Sequence, residues 1–151
     1  MIRSLLFFAF LLRAGFSVAG GPVSWVFSLG PEVNGQCEVL LTATCEEGWH
    51  LYALTLPRDD GPFPTEIRVK ADTAFELAAA PIEPTPVEVE DPNFQMLVRY
   101  HGHTSVFRVP VRRLSKDAFT VSGQVEYMCC NDKMCLPPVK VEFHVPIPAV
   151  K

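Results

Sequence analysis

Apolar and polar residues alternate with a period of two along most of this chain. Val23, Trp25, Phe27 and Leu29 alternate with Ser24 and Ser28. Cys37, Val39, Leu41, Ala43 and Cys45 share one side of a longer run whose other side carries Glu38, Thr42 and Thr44. Ile67 and Val69 alternate with Glu66, Arg68 and Lys70, and Val87 and Val89 with Glu88 and Glu90. Phe119, Val121, Val125 and Tyr127 oppose Thr120, Ser122, Gln124 and Glu126, while Val139, Val141, Phe143, Val145 and Ile147 oppose Lys140, Glu142 and His144. Successive side chains of a strand point to opposite faces, so each run predicts a strand with one buried and one wet face. Turn-forming sequences fall between them: Asn34-Gly35, Asp59-Asp60-Gly61-Pro62, Asp91-Pro92-Asn93 and His101-Gly102-His103. Only Thr73 to Ala80 reads as a short helix, ended by Pro81. The Pro-rich stretch from Pro81 to Pro86 predicts an edge or a crossover between sheets, because proline cannot donate to a central ladder. Roughly seven to nine short strands at this spacing make the fold class all-β, a two-sheet sandwich of immunoglobulin-like type.

Composition agrees with this pattern and narrows the function. The 151 residues fit one domain, and 48% hydrophobic with 20% charged residues is a globular balance. Fourteen Pro and nine Gly, spread along the chain, suit short strands better than long helices. A net charge of −4 offers no basic stripe for phosphates, so nucleic acid is excluded as the main partner. Met1 to Ala19 reads as a secretory leader: Arg3, an apolar run from Leu5 to Leu12, then Ser17 and Ala19 at the −3 and −1 positions before Gly20. Arg13 cuts that run far short of the ~20 residues a membrane span needs. The expected organisation is a leader over residues 1–19 and one domain over 20–151, exported, soluble after cleavage and monomeric, in a compartment where disulfides persist.

Five cysteines carry the chemistry: Cys37, Cys45, Cys129, Cys130 and Cys135. Cys37 and Cys45 lie eight residues apart on one predicted strand, so about 26 Å separates them. That is far outside the ~7 Å that a disulfide tolerates between Cα atoms, and both read as small buried apolar residues. Cys130 and Cys135 flank a four-residue loop, Asn131 to Met134, at the predicted end of a hairpin. Opposed antiparallel residues are within bonding reach, which favours that pair over the strained vicinal Cys129–Cys130 bridge. Strand parity puts Cys129 with Val125 and Tyr127 on the apolar face and Cys130 on the other. A bridge closing so short a loop is a weak staple, worth about 2 kcal/mol by chain entropy. The polar loop would expose a sulfur to a partner thiolate, with Lys133 favouring the thiolate and Asp132 opposing it. Spacing alone leaves both a staple and a redox pair open.

The segment Tyr127-x-x-Cys130 followed by Asn131-Asp132-Lys133-Met134-Cys135-Leu136-Pro137-Pro138 closely resembles the active-site hairpin of the N-terminal periplasmic domain of the thiol:disulfide interchange protein DsbD, in its shorter-spaced form. The resemblance extends over nearly all of the predicted domain through Val23-Ser24-Trp25-Val26-Phe27, Gly48-Trp49-His50-Leu51-Tyr52, Gly61-Pro62-Phe63-Pro64-Thr65 and Asp91-Pro92-Asn93-Phe94. It implies an immunoglobulin-like domain that acts as a protein-disulfide reductase component, without a cofactor. Such a domain takes electrons from a membrane electron-transfer protein and passes them to periplasmic thioredoxin-like proteins, here in trans. By position, Cys135 is implied to be the attacking sulfur and Cys130 the resolving one. Phe94 is implied to cap the disulfide, with His50, Tyr52 and Tyr127 as aromatic neighbours. The chain departs from some relatives in having Pro92 and Asn93 where they carry an acidic pair, and in the extra Cys129.

Two rivals belong to other classes. Met128, Cys129, Cys130, Met134 and Cys135 concentrate soft ligands that suit Cu(I), with His101-x-His103 as recruits if they are not simply solvated turn residues. Alternatively the domain is a non-catalytic binding module whose cysteine pair only pins a loop. No nucleophile–His–carboxylate arrangement or phosphate-cradling glycine loop is present in the sequence.

Overall fold

The computed structural model describes residues 16–150, with side chains from residue 21 onward. The predicted leader therefore lies mostly outside the described residues, and its last four positions fall in the first strand. All regular structure among the described residues is β: β1 (Phe16–Gly20), β2 (Val23–Leu29), β3 (Gln36–Cys45), β4 (His50–Tyr52), β5 (Glu66–Val69), β6 (Phe75–Leu77), β7 (Val87–Asp91), β8 (Met96–Gly102), β9 (Thr104–Arg113), β10 (Phe119–Tyr127), β11 (Cys129–Cys130) and β12 (Val139–Ile147).

One layer is a five-stranded sheet in the order β1-β2-β3-β9-β6; facing it are two smaller sheets, β12-β10-β5 and β11-β4-β8-β7. All pairings between these strands are antiparallel. The alternation read from sequence decides which side chains go inside. Trp25, Leu41, Phe107, Val125 and Phe143 meet in one core, to which the β4 and β11 sheet adds Leu51 and Cys129. Trp25 sits at its centre, with the rings of Tyr127 at 5.5 Å, Phe107 at 5.9 Å and Phe27 at 6.1 Å. Each such side chain contributes roughly 1.5–3 kcal/mol on burial, so this core supplies most of the scaffold's stability. The result is an all-β immunoglobulin-like sandwich, as the strand pattern predicts.

Several local expectations need correction. Thr73 to Ala80 is not a helix: Phe75–Leu77 is an edge strand on β9, with Phe75 buried and stacked on Phe119 at 5.6 Å. An isolated eight-residue helix is marginal in water, whereas β9 offers this segment a ladder to complete. Val87 and Val89 do form a strand, but it is a sheet edge on which both remain exposed, so it is not half-buried. The central strand β9 carries Pro110, which blurs its pattern. The Pro110 carbonyl accepts from Ala78 N just past the end of β6, so its nitrogen, on the same side, meets no ladder acceptor. The Pro-rich 81–86 segment does cross between layers, pausing only where Ile82 bridges to Arg108. Asn34 and Gly35 both take positive φ, the mirror-image turn that suits a tight hairpin.

Candidate functional site

The site forms where the chain changes sheets. β10 pairs with β12 as far as Tyr127 opposite Val139; two residues later β11 has moved onto β4, with Cys129 opposite Leu51 and Cys130 opposite His50. Cys129 thereby turns into the main core and Cys130 into a second, smaller cluster with Tyr52, Met96 and Val98. Cys130 is bonded to Cys135 in a disulfide, with 4.0 Å between their Cα atoms. Asn131 folds the intervening loop: its N–H donates to the Met134 carbonyl, and its Oδ1 accepts from the N–H groups of Lys133 and Met134, all at 2.9 Å. Leu136 N donates to Cys129 O at 2.9 Å and closes the neck. Within the disulfide the two sulfur-bearing residues differ in access. Cys130 is fully buried, while Cys135 is partly exposed.

A second loop packs against the cluster that holds Cys130. Between β7 and β8, Asp91 is almost fully buried and organises the turn: Oδ1 accepts from Asn93 N at 2.7 Å and Phe94 N at 3.2 Å, while its carbonyl accepts from Gln95 N. Asp91 Oδ2 accepts the Tyr52 hydroxyl at 2.7 Å. Phe94 packs on the small cluster that contains the disulfide, edge-on to Tyr52 at 6.0 Å. Asn93 Nδ2 donates to Asn131 O at 3.0 Å, so the turn between β7 and β8 is hydrogen-bonded to the cysteine loop itself.

Electrostatics follow from burial. His50, packed against Tyr100 at 4.4 Å, is pushed toward its neutral form by desolvation, with Asp91 and Asp132 opposing. Burial and the Asp91 carboxylate raise the Tyr52 hydroxyl well above its ordinary range, so it remains a donor. Burial also raises Cys129, and it pushes Cys45 up to about 11. Both thiols are therefore held protonated and unreactive at neutral pH.

The structure brings Phe94, Tyr52 and His50 around the disulfide. Tyr127, grouped with them above, lies instead on the main-core side beside Trp25, because its strand parity matches Val125 and Cys129. Asp132 and Lys133 are exposed on the loop. The five sulfur-bearing residues proposed for copper do not share one pocket: Cys129 faces the main core, Met128 packs beside Cys130, and Met134 is 50% exposed. His101 is not a solvated turn residue. It is buried, edge-on to Phe107, with Nε2 at 2.9 Å from Glu83 Oε2, while His103 is exposed. Asp91 and Glu83 escaped the sequence reading. Asp91 shares the parity of Val87 and Val89, which stay exposed, so the alternation carries no sign that its carboxylate turns inward.

The family model for the N-terminal region of the thiol:disulfide interchange protein DsbD matches residues 22–146. Among solved structures, the N-terminal periplasmic domain of ScsB from Proteus mirabilis is similar with a TM-score of 0.62 at 14% identity, covering 91% of this chain and 53% of that one. The chain thus spans about half the length of that relative. The DsbD N-terminal domain of Neisseria meningitidis in its reduced form has a TM-score of 0.54 at 18% identity, covering 83% of this chain and 86% of that one. At these identities the likeness is one of fold. No curated protein sequence matches.

Proposed function

We propose that this chain, which belongs to the family of N-terminal domains of the thiol:disulfide interchange protein DsbD, relays electrons through reversible opening of the Cys130–Cys135 disulfide. The observation that carries the reading is the asymmetry of the pair. One sulfur-bearing residue is buried and the other partly exposed, and Phe94 from a separate turn packs on the same small cluster. A reductant thiolate that displaces Phe94 attacks Cys135 Sγ. The Cys130–Cys135 bond breaks, its electron pair leaves on Cys130, and a mixed disulfide forms. A second thiolate of the reductant then attacks its own sulfur in that bond and leaves Cys135 reduced. In the outward step the Cys135 thiolate attacks an oxidised partner, and Cys130 attacks Cys135 to release the partner's thiolate. The partial exposure of Cys135 and the burial of Cys130 support the attacking role for the first and the resolving role for the second. The reductant is a membrane electron-transfer protein and the acceptors are periplasmic thioredoxin-like proteins, met in trans after removal of residues 1–19. Domain 20–151 then works as a monomer in an oxidising compartment.

The test is trapping. Cys130→Ser, expressed with export, accumulates mixed disulfides with partner proteins on non-reducing gels, and Cys135→Ser accumulates none and transfers no electrons. Partner binding that survives both substitutions, with no trapped species, would leave only a pinned binding loop.

A further inference from the structure

We propose that His50 is the proton acceptor for the Cys130 thiol when the disulfide re-forms, a role that rests on the exchange reading above and specifies its chemistry. Cys130 is fully buried in the disulfide form, and a thiol in so enclosed a position needs a nearby base to become a nucleophile. His50 is directly opposite Cys130 on the adjacent strand, which puts both side chains on one face at about 4.5–5.5 Å between Cβ atoms. Its side chain is only 12% exposed, and Nε2 is buried without a hydrogen-bond partner among the described residues. A buried nitrogen without a partner costs stability, and here it leaves a ring nitrogen free to take up a proton. The nearest anion, Asp91 Oδ2, is at 3.8 Å, too far for a hydrogen bond but close enough to stabilise a cation.

The groups facing His50 are Asp91 from β7, Asp132 from the cysteine loop, Tyr100 from β8, Tyr52 from its own strand and Cys130 from β11. Burial holds the ring neutral at rest, while two carboxylates wait to compensate the charge it acquires. The step balances. The Cys130 S–H proton passes to the imidazole, and the thiolate pair forms the bond to Cys135 Sγ. The partner–Cys135 bond breaks, its electron pair leaves on the partner sulfur, and the imidazolium proton returns to that thiolate or to solvent.

The reduced full chain mixed with dithiobis(nitrobenzoate) separates the steps: one chromophore is released when Cys135 reacts and a second when Cys130 closes the ring. Cys37, Cys45 and Cys129 are buried and do not compete with the fast phases. In the parent chain the second release should weaken as pH falls and His50 becomes protonated. His50→Phe, which keeps a packed ring, should slow the second release roughly a hundredfold at neutral pH while leaving the first unchanged. It should also shift the pH dependence up to that of the thiol alone, and added imidazole should restore part of the rate to His50→Ala. An unchanged second release in His50→Phe, with the parent pH profile, overturns the proposal. A parent chain that releases only one chromophore overturns the exchange reading beneath it, so the two failures are distinct.

Discussion

Asp91 holds more of the site together than any other single side chain. It ties Tyr52 on β4 to the turn between β7 and β8, and it is only 2% exposed. Tyr52→Phe deletes one donor to this buried carboxylate and little volume. It should therefore destabilise the chain by about 1–3 kcal/mol, the cost of leaving a buried acceptor short. The measurement is a lower urea midpoint at an unchanged m-value. His50 contributes a pH dependence of definite sign. Its folded pKa lies below its ordinary value of 6.5, so the unfolded chain takes up the proton first as pH falls. That contribution is complete above about pH 6.5 and is lost as pH drops toward the folded value. His50→Phe should consequently show a shallower fall of urea midpoint between about pH 8 and pH 5 than the parent, and an equal fall would remove His50 from the account. At this level the sequence was readable where chemistry is local. The loop length picked out Cys130 and Cys135 as neighbours, and parity separated Cys129 from Cys130. Tyr127 was misplaced because motif order does not say which face a residue takes; its own parity did.

The turn that carries Phe94 and the cysteine loop are separate elements joined by the Asn93–Asn131 bond. Asn93 is exposed, so Asn93→Ala should leave global stability within about 1 kcal/mol. It should nevertheless let Phe94 lift more often, raising the rate at which dithiothreitol reduces the disulfide several-fold. An unaltered rate would mean that Phe94 is held by packing alone. The central strand β10 makes the opposite kind of demand. A methyl group on Gly123 would overlap the Arg68 carbonyl of β5 and the Phe143 ring of β12, two neighbours that cannot both yield. Gly123→Ala should cost about 1–3 kcal/mol or more through overpacking, seen as a lower thermal midpoint with the disulfide intact. Long half-buried strands such as β3 and β12 were legible because burial follows their period. The short strands β6 and β11 were not, since each is defined by the ladder it joins and not by its own composition. β9 was obscured by Pro110 for the reason its position tolerates: the missing N–H faces the gap beyond β6.

Taken whole, the molecule keeps its disulfide outside its main source of stability. The sandwich core is closed by Trp25, Phe107, Tyr127 and Phe143, whereas Cys130 belongs to a small cluster on the far face of the β11-β4-β8-β7 sheet. Opening the disulfide removes no side chain from the main core. The loop it closes spans a sequence separation of 5 and is already shaped by Asn131 and by the pairing of β11 with β4. What the bridge chiefly constrains is the denatured chain, by about 2 kcal/mol for a loop so short. Urea unfolding of the oxidised and reduced forms should therefore give two cooperative transitions whose free energies differ by about 2 kcal/mol, with the reduced form still fully folded. Linkage turns the same number into a potential. At about 30 mV per 1.4 kcal/mol, the native scaffold stabilises the disulfide over that of the unfolded chain by no more than about 40 mV. A bond held that lightly can be exchanged in both directions by partners of ordinary potential. A difference several times larger, or a reduced form that no longer unfolds cooperatively, would make the bridge a structural staple and take away the thermodynamic basis for shuttling.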